Sequence, residues 1–195
     1  YINTLYIMLT KEQIINKTII SEGGYTAPIN GDTGGETYKG IARNYHPRWS
    51  GWAIVDGNKP LKKGAIIKNK TLDGLVSKFY EENFYNAAKC DQYESSVIKM
   101  QVYDLAVNAG IKRACITLQK AVNAVYKANI SVDGLIGKIT LGYVNKKDKI
   151  AELGKAFRDQ RIAYYKSIGV GNRVKFLKGW VNRANEIYEY AVKNS

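Results

Sequence analysis

The chain has 195 residues, of which 45% are apolar, and a formal net charge of +13. That length and apolar content suit one domain with a real core, or one domain with a small closely packed lobe. Three prolines, no low-complexity tract and apolar runs of only a few residues exclude a disordered chain and a transmembrane helix. The charge attracts polyanions such as nucleic acid, anionic membranes or anionic cell walls. It does not choose among them, and a Lys-rich composition serving only solubility reads the same way.

Residues 1–10 are mildly apolar, with no basic stretch before them and no small-residue cleavage site after them. They do not read as a signal peptide, and the export route is left open. Thr10 followed by Gln13 is a capping-box pattern, and Ile15, Ile19 and Ile20 continue with helical spacing until Gly23-Gly24 stops the helix. Residues 25–60 hold all three prolines, many glycines and the Asn30-Gly31 turn signal, which predicts a loop region with a short β-hairpin around residues 25–42. Thr71 is the expected cap of a helix carrying Leu72, Leu75, Val76, Phe79 and Tyr80. Ser95 or Ser96 caps the next, whose Ile98, Val102, Leu105 and Ala109 share one face before Gly110 ends it. Further helices are expected over 111–128, 149–168 and 173–193, with a loop around Asp133-Gly134. The fold class is therefore mainly α, with one short β-hairpin and loop region after the first helix.

Cys90 and Cys115 form no CxxC pair, and the single histidine, His46, is too little for a zinc site, so no metal and no cofactor are expected. Each cysteine reads as a small buried apolar residue, and a disulfide between them is open.

Glu22 sits where the first helix should end. The last turn of a helix exposes carbonyls carrying partial negative charge, and this favours the protonated acid over the carboxylate. Apolar cleft walls push the same way. Such a residue suits a proton donor at neutral pH. Downstream, the polar run 30–37 supplies a second carboxylate, Asp32, and a hydroxyl, Thr37. A glycosidase pairs an acid on the leaving oxygen with a second carboxylate that activates water, attacks or stabilises charge. By itself Glu-Gly-Gly reads rather as a solvated helix end followed by turn formers.

The run Glu22-Gly23-Gly24-Tyr25, followed by Pro28, Asp32, Gly34-Gly35, Thr37 and Gly40-Ile41, resembles the opening signature of glycoside hydrolase family 108. It is also more distantly similar to phage-type lysozymes. In the second half, Asp104 to Gly110, Leu118-Gln119 and Asp133-Gly134 through Thr140 resemble the peptidoglycan-binding region of that family. The closing Arg161, Tyr164-Tyr165 and Phe176 through Arg183 fit its ending. The resemblance covers roughly residues 10 to 188. It implies a lysozyme-like, mainly helical fold and N-acetylmuramidase activity on bacterial peptidoglycan, with Glu22 as the catalytic glutamate. It does not carry over the second carboxylate, for which Asp32 is the candidate, with Thr37 assisting. The implied division is a catalytic region over 1–95 and a helical peptidoglycan-binding region over 96–195, packed as one unit. Members are of phage and bacterial origin, and some carry a secretion-activator label, so endolysin and secretion roles both follow as expectations.

Sugars stack their C–H faces on aromatic rings. Tyr25, Tyr38, Trp49 and Trp52 in the loop region are candidates to line a glycan groove, the two tryptophans alternatively pinning the loop to the core. Asp104 and Asn108, four apart on one helix face, suit either binding of N-acetyl groups by Asn108 or a buried polar anchor. Trp180 reads as core. The expected partner is bacterial peptidoglycan, met in the periplasm or outside the cell by a monomer. Against this stand a nucleic-acid binder, which lacks any recognised binding signature, and a non-catalytic wall-binding or secretion-accessory protein. A cysteine peptidase using Cys90 or Cys115 with His46 lacks a nucleophile motif.

Overall fold

A computed structural model describes residues 8–28 and 33–195. Its contacts divide the described chain into two compact units, one of Ile15–Asn83 and one of residues 8–14 with Phe84–Ser195. The described residues are mainly helical, with one small antiparallel sheet.

Helix α1, Lys11–Ser21, runs across the division. Its start is the reciprocal cap expected from the sequence. Gln13 N donates to Thr10 Oγ1 at 3.2 Å, and Thr10 N donates to Gln13 Oε1 at 2.8 Å. Ile14, Ile15 and Ile19 are buried, whereas Ile20 is 73% exposed and lies off the apolar stripe. Gly23, in the left-handed conformation at φ +76°, follows the helix end.

In the Ile15–Asn83 unit, three two-residue strands form a meander: β1 Tyr25–Thr26, β2 Thr37–Tyr38 and β3 Ile41–Ala42. The register pairs Tyr25 with Tyr38 and Thr26 with Thr37, then Thr37 with Ala42 and Tyr38 with Ile41. Strand alternation then places Tyr25, Tyr38 and Ile41 on the core face and Thr26, Thr37 and Ala42 on the other. The tight turn joining β2 to β3 is Lys39-Gly40, both at positive φ (49° and 75°), the pattern of a type I′ hairpin. The expected turn at Asn30-Gly31 lies outside the described residues. Helix α2, Gly51–Gly57, occupies what the glycine- and proline-rich composition suggested was loop. Helix α3, Lys70–Tyr80, is capped by Asn69 rather than Thr71, because it is the Asn69 side chain that accepts from Leu72 N. Its Leu72, Val76 and Phe79 bury one stripe, and each such burial contributes about 1.5–3 kcal/mol.

The second unit is helical. Helix α4, Ser96–Ala109, is capped by Ser95, while the Ser96 hydroxyl accepts from Leu9 N at 3.1 Å. The expected single apolar face is too narrow. Residues 100–106 of α4 are all buried, which marks a helix surrounded by protein on all sides. Around it pack α5 Ile111–Tyr126, α7 Ile150–Ile168 and α8 Val174–Lys193. The short α6, Lys138–Val144, packs on α5. No helix among the described residues is long and apolar enough to cross a membrane.

Candidate active site

Glu22 stands one residue past α1 and is half-buried. Its carboxylate lies over the Lys39-Gly40 turn, since a methyl placed on Gly40 would sit 3.1 Å from Glu22 Oε2 and 2.7 Å from Tyr80 Oη. The buried Tyr80 hydroxyl donates to the Lys39 carbonyl at 2.7 Å, so it locks the turn from α3. One hairpin turn thus holds a carboxylate and a phenol against the same point of backbone. The neighbouring backbone is as tight. A Cβ on Gly24 would meet the Ala65 and Gly64 carbonyl oxygens at 2.4 and 2.5 Å, because β1 pairs outward with that loop through Tyr25 N to Ala65 O at 2.9 Å.

Gly40→Ala is expected to cost at least about 1–2 kcal/mol from the left-handed backbone alone. It is also expected to lower turnover by roughly tenfold or more, as Glu22 and Tyr80 are pushed apart. Thermal melts and cell-wall hydrolysis assays on one preparation check both.

Thr37 belongs to the sheet face that also carries Thr26, and it is half-buried. Asp32, the candidate second carboxylate, lies outside the described residues. Its neighbour Thr33 bonds its hydroxyl to that of Tyr45, and the Thr33 carbonyl accepts from Asn44 Nδ2 at 2.9 Å. Glu36 was not singled out in the sequence and is committed elsewhere. It is buried, it pairs with Arg43 and with Lys59 at 2.9 Å, and it accepts from Tyr25 Oη at 2.9 Å. Burial raises its pKa, but the hydrogen bonds from Lys59 and Tyr25 and the nearby Arg43 charge outweigh this and hold it below the usual carboxylate range. Glu36 is therefore an ionised brace of the loop. No local pattern reveals this, because its partners come from three separate stretches of chain: strand β1, the segment after β3 and the segment after α2.

Three of the aromatic residues expected along a glycan groove face inward instead. Tyr25, Tyr38 and Trp52 are 6%, 0% and 3% exposed. Strand alternation turns both tyrosines to the core, and their hydroxyls are occupied: Tyr25 donates to Glu36 and Tyr38 accepts from Ile67 N at 3.1 Å. Trp52 donates its indole N–H to the His46 carbonyl at 2.8 Å and lies under the Arg43 guanidinium. Trp49 is half-buried and edge-on to Trp52, with ring centroids 5.1 Å apart.

Asn108 belongs to the other unit and is exposed at the end of α4. It terminates a buried chain of polar groups. Asp104 pairs with Arg161 at 2.6 Å and Arg183 at 2.9 Å. Arg161 Nε donates to Tyr165 Oη at 2.9 Å, and Tyr165 Oη bonds Asn108 Oδ1 at 2.7 Å. A guanidinium only donates, so the tyrosine oxygen accepts from Arg161 and its O–H donates to Asn108 Oδ1. That polarity leaves the Asn108 amide N–H groups directed away from Tyr165 as donors. Trp180, read from the sequence as core, is half-buried and stacks between Phe176 and Tyr165. Cys90 and Cys115 are free, buried thiols, and desolvation pushes both thiol pKa values up, which disfavours the nucleophilic thiolate.

Residues 15–110 match the model of Glycosyl hydrolase 108, and residues 113–185 match that of the Predicted Peptidoglycan domain. This chain belongs to glycosyl hydrolase family 108. The solved structure of Brucella abortus SagA is similar to this family 108 hydrolase over 94% of each chain, at 28% identity and a TM-score of 0.64. A search of curated proteins finds no match. Family membership makes the chain a lysozyme-like glycoside hydrolase directed at peptidoglycan and the cell wall.

Proposed function

We propose that this family 108 hydrolase is an N-acetylmuramidase that cleaves the β-1,4 bond between N-acetylmuramic acid and N-acetylglucosamine, with Glu22 as general acid. The observation that supports this best is the Glu22 carboxylate held at the helix end against the Gly40 turn and Tyr80. The rigid turn restricts the side chain to a narrow range of positions, as proton transfer to a bridging oxygen requires. Glu22 protonates that oxygen, the bond breaks through an oxocarbenium-like state, and the proton is later restored from water. Asp32 stabilises the developing positive charge or aligns the attacking water, with Thr37 assisting. Glu36 is unsuited to this second role because Arg43, Lys59 and Tyr25 already occupy its oxygens.

Trp49 supplies a ring face for a sugar, and the outward amide of Asn108 suits the carbonyl of an N-acetyl group. Residues 1–95 carry the chemistry and residues 96–195 the wall-binding part. The protein works as a monomer on the wall, in the periplasm or outside the cell. The +13 charge adds attraction to anionic walls, so retention on sacculi should fall several-fold from low to high salt. A pull-down across a salt series checks it, and salt-independent retention would remove electrostatics from the account.

Mass spectrometry of fragments released from purified peptidoglycan tests the specificity. Fragments ending in reducing N-acetylmuramic acid support the reading. Fragments ending in reducing N-acetylglucosamine, or peptide-only cleavage, would overturn it.

A further inference from the structure

The loop between α5 and α6 encloses a cleft of about 640 Å³, lined among others by Ile130, Leu135, Ile139, Asp133 and Lys138. Its shape is set before any ligand arrives. Gln119, buried on α5, donates to Asp133 Oδ1 at 2.8 Å and to the Leu135 carbonyl at 3.0 Å, and accepts from Gly134 N at 2.8 Å. Asn123, one turn on, bonds both the N–H and the carbonyl of Ile130 at 2.8 Å. Lys89 Nζ donates to the Ile136 carbonyl at 2.9 Å. A ligand entering such a loop loses little binding energy to ordering it. Two large aliphatic side chains at the cleft are left to water, Leu135 at 73% and Ile139 at 71% exposure.

We propose that this cleft binds the stem peptide of peptidoglycan rather than its sugars. The inference rests on the reading of the chain as a peptidoglycan glycosidase and names a second contact with the same polymer. Three observations carry it. The cleft falls within the stretch matching the Predicted Peptidoglycan domain. Its lining residues include no aromatic ring, the surface on which sugars stack, whereas aliphatic walls suit alanine methyl groups. It also carries both signs of charge, Lys138 and Asp133. Hydrogen bonds from Gln119 and the Leu135 N–H hold the Asp133 carboxyl below the usual carboxylate range, so it is ionised at neutral pH. A stem peptide offers free carboxylates to Lys138 and, through its diamino acid, an amine to Asp133. The glycan backbone offers no cation.

Isothermal titration of the full chain with a synthetic stem tetrapeptide containing a diamino acid tests this directly. Wild type should bind. Leu135→Asp and Lys138→Glu, both at exposed positions, should each weaken binding about tenfold or more. On sacculi, the wild-type preference for peptide-bearing over peptide-stripped glycan should fall toward unity in both variants. No tetrapeptide binding by wild type, or an unchanged preference in the variants, would overturn the proposal. Cleavage without tetrapeptide binding refutes the cleft alone, and tetrapeptide binding without any glycan cleavage refutes the glycosidase reading alone.

Discussion

Glu22→Gln is expected to reduce the release of reducing ends from purified sacculi by about 10²-fold or more while the protein stays folded. The amide keeps the size and shape of the carboxyl, so packing against the Gly40 turn persists. It cannot deliver a proton to the bridging oxygen. Without protonation the leaving alkoxide departs slowly, whatever the second carboxylate does. Retention on sacculi should be close to that of wild type, because binding needs no proton transfer. The measurement is initial rate and sacculus retention on one preparation, with a melt to establish folding. A variant that binds and cuts as wild type would remove Glu22 from the chemistry and leave the non-catalytic wall binder as the better account.

The second large effect concerns stability. Asp104→Asn is expected to cost about 3–5 kcal/mol, because it leaves buried guanidinium charge uncompensated. Asp104 and Arg161 are both 0% exposed, and Arg161 Nη1 already has no hydrogen-bond partner, so the Asp104 charge is its principal compensation. The exposed Lys155–Asp159 pair makes the contrast. Asp159→Asn should cost under about 1 kcal/mol, since both groups remain in water.

The pH dependence of the Asp104 effect has a definite sign. Burial raises the Asp104 pKa, but the charges and hydrogen bonds of Arg161 and Arg183 outweigh it, so the folded value lies below the ordinary one. Stability from this group is then fully present above the unfolded-state pKa, about 3.9. It is lost as pH falls through the depressed folded value. Denaturant melts at neutral pH should show the full gap between wild type and Asp104→Asn, and the gap should narrow below about pH 4. A gap that is small at neutral pH, or constant down through acid pH, would show that the charge does not hold α4, α7 and α8 together.

Several elements were legible because their causes are local. The Thr10–Gln13 cap, the stop at Gly23, the end of α4 at Gly110 and the long α5, α7 and α8 all formed close to where spacing and capping residues put them. The family signature around Glu22 is contiguous and was equally readable. The cap of α3 shifted from Thr71 to Asn69, since several polar residues near a helix start compete and only backbone geometry decides. Helix α2 was hidden by its glycines and shortness.

The family, the helical class and the placing of a glutamate at the helix end were all readable from residues close together along the chain. The remainder came from long-range packing. It turned Tyr25, Tyr38 and Trp52 inward, bound Glu36 to Arg43 and Lys59, set Tyr80 beside Glu22 at Gly40, and linked Asp104 to Asn108 through Arg161 and Tyr165. The deciding partner is mostly distant in sequence, as Lys59 is from Glu36, Tyr80 from Glu22 and Arg161 from Asp104. Whether a polar or aromatic side chain meets solvent or protein is decided by which distant element arrives over it, and no local pattern encodes that arrival.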